Sequence, residues 1–328
     1  MNDFSEINKL ITDSNKIIIT THIKPDGDAI GSEIGFALFL KKLGKDVKII
    51  NEDQTPNNLT FIERLFPVEI YNEQLHNEVF RYSDLIIVLD LSSSERIPNV
   101  SLQFKNTKAK IICIDHHTYP EKFFNFAILN ERAAATAELI FELISKIDYS
   151  KIDSEIATAL YTGILTDTGS FRFNSTTEKI HKIISELLIL GASPSNIYNE
   201  VFEQESLNKI HLTALALKSM QLYLNGKVSI FEITRKDFLS TNTDQRDVEN
   251  IINYGLTIKG TKTTILLTEF DGFIKVGFRS KDSIPVNLLA KEFGGGGHLS
   301  ASSAKILNAN LVDIKKLILE KLNKYIKD

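Results

Sequence analysis

The sequence predicts an N-terminal parallel-sheet α/β domain joined by a helical linker to a smaller mixed α/β C-terminal domain. Three observations carry that prediction. Apolar runs of strand length alternate with helix-period segments over the first part of the chain, the pattern of a parallel sheet covered on both faces. Several of those runs end in acidic or histidine clusters, and the C-terminal edge of an open α/β sheet is where ligands bind. Beyond about residue 225 the pattern changes to longer strands joined by a hairpin turn. A length of 328 residues suits two domains of ~100–200 residues each, and the expected bounds are 1–192, a linker at 193–225, and 226–328.

The first strand is Lys16–Thr20, followed by a helix starting near Ala29 whose inward stripe is Ile30, Ile34, Ala37, Leu38 and Phe39. Gly44 suits the position just past its end, and Gly31 and Gly35, costly inside a helix, point to close packing against the sheet. Val47–Ile50 completes a βαβ unit, Asp84–Leu89 is the third strand and ends in Asp90, and the apolar run Lys110–Ile114 is the fourth. Helices are expected over Ala133–Ile147, Glu155–Leu165 and Ile180–Leu190, the last closed by Gly191. From Pro194 to Leu224 the pattern is helical and reads as the interdomain connection. Val228–Ile233, Thr263–Phe270 and Phe273–Phe278 read as strands, with Asp271-Gly272 as a hairpin turn. Helices are expected over Gln245–Asn253, Pro285–Phe293 and Leu311–Ile326.

Hydrophobic residues make up 43% and charged residues 24% of the chain, the balance of a soluble globular protein. A net charge of -4 argues against a broad nucleic-acid face, which would be basic. The lysines of the last helix read as a solvated side. Cys113, the one cysteine, lies inside a strand and reads as a small core residue in a reducing compartment. Met1 leads into a segment with neither a basic nor an apolar leader region, and no apolar run approaches the ~18 residues a membrane span needs. The expected location is the cytoplasm, with no membrane association.

Asp115-His116-His117 leaves the end of the fourth strand together. An aspartate and two histidines there can bind a divalent cation and leave one imidazole for proton or phosphate contacts. His22, Asp26 and Asp28 fall within one short turn after the first strand, with Pro25 and Gly27 tightening its path. Asp28 alone could be explained as a helix cap; the histidine and second aspartate could not. Asp90 and Asp167 are ambiguous singly. Together His22, Asp26, Asp28, Asp90, His116 and Asp167 are enough for two divalent cations sharing one carboxylate, with Mn²⁺ favoured by the carboxylate majority. In the second domain Gly294–Gly297 precede His298, so successive backbone N–H groups could approach an anion. Phe278-Arg279-Ser280 ends a nearby hairpin strand, and Arg279 offers a forked phosphate donor.

These motifs resemble, over nearly the whole chain, the DHH family of phosphoesterases. His22-Ile23-Lys24-Pro25-Asp26-Gly27-Asp28-Ala29-Ile30-Gly31-Ser32 matches the first motif, Asp90 the second, Asp115-His116-His117 the third, and Thr166-Asp167-Thr168-Gly169-Ser170-Phe171-Arg172 the fourth. Gly294–His298 is similar to the signature of the DHH-associated C-terminal domain, with Ser303 departing from the glycine or small residue that signature leads one to expect. The resemblance is to the short two-domain enzymes that degrade nanoRNA and dephosphorylate 3′-phosphoadenosine 5′-phosphate (pAp); relatives hydrolyse cyclic di-AMP or pApA. It implies one cation held by His22, Asp26 and Asp90 and another by Asp28, Asp90, His116 and Asp167. It further implies that His117, with Asp115, is catalytic. Arg279, Ser280, Gly295, Gly296, Gly297 and His298 would hold the nucleotide in a cleft between the domains. The implied substrates are short oligonucleotides or small nucleotides, not long duplexes, and a homodimer is the oligomer considered. A non-catalytic nucleotide sensor on the same scaffold is the alternative of another class.

Overall fold

The computed structural model describes residues 4–91, 93–117, 121–281, 284–322 and 324–325. They fall into two compact units that divide between residues 204 and 205. The first unit runs α1 (Phe4–Asp13), β1 (Lys16–Thr20), α2 (Gly27–Lys42), β2 (Asp46–Asn51), α3 (Thr60–Glu63), β3 (Val68–Ile70), α4 (Glu73–Arg81), β4 (Leu85–Leu89), α5 (Val100–Gln103), β5 (Lys110–Asp115), β6 (Phe126–Leu129), α6 (Thr136–Asp148), α7 (Ser154–Asp167), α8 (Glu178–Ile189) and α9 (Pro194–Phe202).

Its six strands are parallel in the order β3-β2-β1-β4-β5-β6. Strand order reverses between β1 and β4, and such a switch point opens a crevice at the carboxyl ends of the strands. Both faces are covered. Ile17 and Ile19 join the core made with α2, α6 and α7, whereas Ile18 joins Phe80 of α4 and Val100 of α5 on the other side. Burial on two faces is why these strands read as unbroken apolar runs. The edge strands β3 and β6 escape that reading because they are short and only partly buried.

Helix α2 differs from expectation at two points. It begins at Gly27, capped by Asp26, whose Oδ1 accepts from the amides of Asp28 and Ala29 at 3.1 Å each. Its glycines face α7, not the sheet. A β-carbon on Gly31 would lie 2.4 Å from the Ala159 carbonyl oxygen and 2.9 Å from the Gly163 nitrogen, and one on Gly27 would meet the Thr166 side chain at 2.4 Å. The two helices therefore touch backbone to backbone, which brings Asp28 at the start of α2 level with Asp167 at the end of α7.

The second unit contains α10 (Leu207–Lys218), β7 (Gln221–Tyr223), β8 (Val228–Ile233), α11 (Arg235–Thr241), β9 (Thr263–Phe270), β10 (Phe273–Ser280), α12 (Val286–Lys291), β11 (Gly296–Gly297), β12 (Ala301–Leu307) and α13 (Leu311–Leu322). The sheet order is β11-β12-β10-β9-β8-β7, antiparallel except for the parallel β8–β9 pair. Asp271-Gly272 turns the β9–β10 hairpin as expected, with Gly272 left-handed at φ 76°. The segment expected as one helical connection is broken: α9 and α10 are separate, Ser206 caps the second by accepting from the Lys209 amide, and residues 221–223 are strand. The helix expected over Gln245–Asn253 is instead two 3₁₀ segments, Gln245–Val248 and Ile251–Thr257, because Asn250 between them is left-handed at φ 68°. Cys113 is fully buried, and no helix among the described residues is long and apolar enough to cross a membrane.

The α2–α7 seam yields a direct prediction. Gly31→Ala should destabilise the protein by about 1–3 kcal/mol through overpacking, despite a helix-propensity gain of up to about 1 kcal/mol. A urea midpoint equal to or above wild type would contradict backbone contact at this position.

Candidate metal centre

The ends of β1, β4 and β5 lie side by side, so the polar residues after them share one pit. His22 is buried, and its Nδ1 lies 2.8 Å from the Ile23 carbonyl oxygen. His116 places its Nδ1 3.2 Å from the Ala133 carbonyl oxygen. A carbonyl only accepts, so Nδ1 carries the proton in both rings and Nε2 presents a lone pair. Those Nε2 atoms face carboxylates: His22 is 3.4 Å from Asp90, and His116 is 3.4, 3.5 and 3.8 Å from Asp167, Asp90 and Asp28. Lone pairs aimed at anionic oxygens need a cation between them, and His/carboxylate donors suit a divalent transition ion. Among the described residues, three sets of ligand atoms each gather within 4.8 Å: His22, Asp26 and Asp90; Asp28, His116 and Asp167; and Asp90, His116 and His117. The residues present thus fit the cations that the sequence pattern implies.

Asp90 is the hub. It follows β4 directly in the left-handed region, φ 56°, a conformation that aspartate tolerates better than most residues. Its amide donates to the Ile114 carbonyl at 3.0 Å, and its Oδ1 accepts from the Thr136 hydroxyl at 3.0 Å. Burial pushes its carboxyl up, but with a proton on the Nε2 atoms of His22 and His116 in place of a cation, the His22 hydrogen bond and the charges of His117, His22 and His116 outweigh it and hold the group below the usual range.

Asp28 is equally buried, yet both its oxygens are engaged by the start of α6. Oδ2 accepts from the Thr136 amide at 2.6 Å and Oδ1 from the Ala137 amide at 2.9 Å, with the Ser32 hydroxyl at 3.2 Å. The α6 cap position is Ala135, which has no side-chain acceptor, so Asp28 supplies from another helix the carboxylate that a helix N-terminus favours. Burial first, and then the charges of Asp90, Asp167 and Asp26, still raise its carboxyl well above the usual range. Asp167 is pushed up to about 6, chiefly by burial, with His116 opposing and Asp90 and Asp26 adding.

Asp115 and His117 form a separate pair. The buried Asp115 accepts through Oδ1 from the His117 ring Nδ1 at 2.8 Å and from its amide at 3.2 Å. His117 is 41% exposed at its side chain, so the other ring nitrogen faces outward. The Asp115 hydrogen bond raises His117 to about 9 against the effect of burial, with Asp90 and Asp115 charge adding and Arg96 opposing.

In the second unit, Arg279 pairs in register with Ala301, whose neighbours in the turn are held by the His298 amide donating to the Ala301 carbonyl at 2.8 Å. Arg279 and His298 thus share one end of the sheet. Burial pulls the Arg279 guanidinium down, and one of its N–H groups donates to the Phe278 carbonyl at 3.0 Å. The Ser280 hydroxyl is committed to the Ile284 carbonyl at 2.7 Å. The glycine run is more ordered than an open anion loop: Gly296 and Gly297 pair with Ser303 and Ser302. A β-carbon on Gly295 would lie 2.1 Å from the Ser303 carbonyl oxygen, and one on Gly297, at φ 137°, 2.6 Å from that of Ala301. Close approach to β12 accounts for these two glycines.

The model of the DHH family, N-terminal domain, matches residues 16–164, and that of the DHHA1 domain matches residues 225–328. The bifunctional oligoribonuclease and PAP phosphatase NrnA of Bacillus subtilis is 30% identical over 312 residues, which cover 94% of this chain and 95% of the relative. The chain belongs to the DHH family. The cyclic-di-AMP phosphodiesterase PdeA of Listeria monocytogenes is 25% identical over 97% of this chain but only 49% of its own length. The crystal structure of an exopolyphosphatase-related protein from Bacteroides fragilis has the same DHH–DHHA1 fold at a TM-score of 0.92 and 32% identity, covering 99% of this chain and 97% of that one.

Two residues of this DHH site are invisible to motif reading. Thr136 contributes its amide to Asp28 and its hydroxyl to Asp90; the sequence signal was a hydroxyl residue ending the Ala133–Ala135 run, which the helix expected from Ala133 hid. Arg96 offers its carbonyl to the Ile23 amide at 2.8 Å and its charge to His117, and no spacing rule links it to the motifs.

The Asp115–His117 pair sets a pH dependence. Because the folded value of about 9 lies above the ordinary 6.5, the pair stabilises the fold fully below pH 6.5 and loses that contribution as pH rises through about 9. In the metal-free protein the His117 ring should titrate near 9 by NMR, and Asp115→Asn should bring it down toward 6.5. A His117 titration unmoved by that substitution would contradict the pairing.

Proposed function

We propose that this DHH chain is a cation-dependent phosphoric ester hydrolase that degrades short oligonucleotides to mononucleotides and removes a phosphate from pAp, in the cytoplasm. The observation that carries the reading is Asp90, whose carboxylate faces His22, His116 and His117 at 3.4–3.6 Å from a hub between two ligand sets. His22, Asp26 and Asp90 would hold one cation and Asp28, Asp90, His116 and Asp167 the other, with Mn²⁺ the ion of choice. When bound, paired divalent cations supply Lewis-acid activation of water and stabilise charge on the phosphoryl group.

The chain's own groups do the rest. His117, oriented by Asp115 through Nδ1, holds a proton on its outward nitrogen at neutral pH and can deliver it to the leaving oxygen. Asp115 keeps that ring positive and fixed in direction. In the second unit Arg279 and His298 would bind the remaining nucleotide, with the backbone of Gly295–Gly297 beside them, the Gly295 amide itself donating to the Ala290 carbonyl at 2.9 Å; Ser280, its hydroxyl committed, acts as support for that strand end. The proposed organisation is a DHH catalytic domain at 1–192, a linker at 193–225 and the DHHA1 domain at 226–328. A second reading, hydrolysis of cyclic di-AMP or pApA, is favoured by the similarity to PdeA.

A net charge of -4 and no tryptophan do not furnish the basic, aromatic groove that long strands need. With Mn²⁺, initial rates on single-stranded RNA should fall steadily from dinucleotide to about twenty-mer. Rates that stay level or rise would point to a long-strand exonuclease, and no turnover of any member would overturn the hydrolase reading.

A further inference from the structure

The loop leaving Asp167 contains three successive left-handed residues, Gly169, Ser170 and Phe171, at φ 57°, 60° and 65°. Glycine takes that conformation freely, but for a bulky residue such as phenylalanine it is an outlier that the surroundings must enforce. Here they do. The Phe171 ring turns inward, edge-on to Tyr161 at 6.0 Å and tilted against His181 at 5.9 Å. The Ser170 amide donates to the Leu165 carbonyl at 2.9 Å, and the amides of Arg172 and Phe173 both donate to the Thr168 carbonyl at 3.1 Å.

The consequence is that the next two residues, five and six beyond Asp167 in the chain, are exposed. Phe173 is 48% exposed. Its ring rests on Gly169, where a β-carbon would lie 2.5 Å from Cζ, so the glycine is needed for the ring to lie where it does. The Arg172 guanidinium lies over that ring, 5.3 Å from its centroid, and among the described residues it has no carboxylate partner. A lone exposed phenylalanine needs no explanation. One cradled by glycine, covered by a guanidinium with no carboxylate partner among the described residues, and held by a strained backbone in the loop that leaves Asp167 does.

We propose that Arg172 and Phe173 form a stacking platform for the nucleobase of the substrate, so that the site selects phosphate esters carrying a base over bare phosphate chains. The inference rests on the reading of the chain as a nucleotide phosphoesterase. Aromatic rings and arginine planes both accept a base face, and every base has one. The platform therefore recognises nucleotides without reading their sequence, which suits an enzyme that clears mixed short oligonucleotides.

The test compares wild type, Phe173→Ala and Phe173→Tyr on pApA and on the same sugar-phosphate lacking both bases, with Mn²⁺ present. Phe173→Ala should lower kcat/KM on pApA by about tenfold, mainly through KM, and leave the abasic substrate unchanged; Phe173→Tyr should restore the pApA value. Equal effects of Phe173→Ala on both substrates, or none on either, would overturn the platform while wild-type turnover of pApA upholds the hydrolase reading. Wild-type enzyme idle on both substrates would overturn that reading itself, and the platform with it.

Discussion

Like charge held out of water is the constraint around which the first unit is built. Asp28 and Asp90 are both buried, and Asp26 and Asp167 add to the same negative field. Two such charges ~4 Å apart repel by about 4 kcal/mol at an effective dielectric of 20. The protein meets part of that cost with dipoles and hydrogen-bond donors. The first amides of α6 hold Asp28 and the Thr136 hydroxyl steadies Asp90, whereas two imidazoles, whose N–H groups are taken by backbone carbonyls, turn lone-pair nitrogens inward and add to the demand for a cation. None of these donors is a cation, so the remaining field is what suits the pit to one.

Holding the carboxylates together is a matter of helix packing. Gly27, Gly31 and Gly163 let α2 and α7 meet at backbone distance. Any side chain there would separate Asp28 from Asp167. The same contact fixes α6, because its N-terminus is capped by a residue of α2. A structural seam and a chemical site are thus one arrangement, and a substitution that loosens the first should be felt in the second.

Much of this was legible in the sequence, for physical reasons that also mark its limits. The buried central strands were read to within a residue or two because two-faced burial leaves an uninterrupted apolar run, and the acids and histidines that follow them stand at the sheet edge where such residues are costly without a purpose. The edge strands Val68–Ile70 and Phe126–Leu129 carry no such run. The two 3₁₀ segments around Asn250 carry apolar residues at helical spacing, and only the left-handed backbone at that asparagine breaks them. Gly31 was read as a packing residue, but its partner could not be read from spacing, since nothing local distinguishes a helix from a sheet as neighbour. The glycines before His298 suggested an anion loop, whereas close pairing with β12 explains Gly295 and Gly297. Thr136 stayed hidden because its contribution is largely a backbone amide, which every residue has.

The central claim is that Asp90 joins two cation sites. Calorimetric titration of the metal-free protein with Mn²⁺ measures it most directly, in wild type and in Asp90→Ala. The account predicts two ions per wild-type chain and the loss of high-affinity binding at both sites in the variant, with the fold retained by circular dichroism. Retention of two tightly bound ions in a folded Asp90→Ala protein would contradict it.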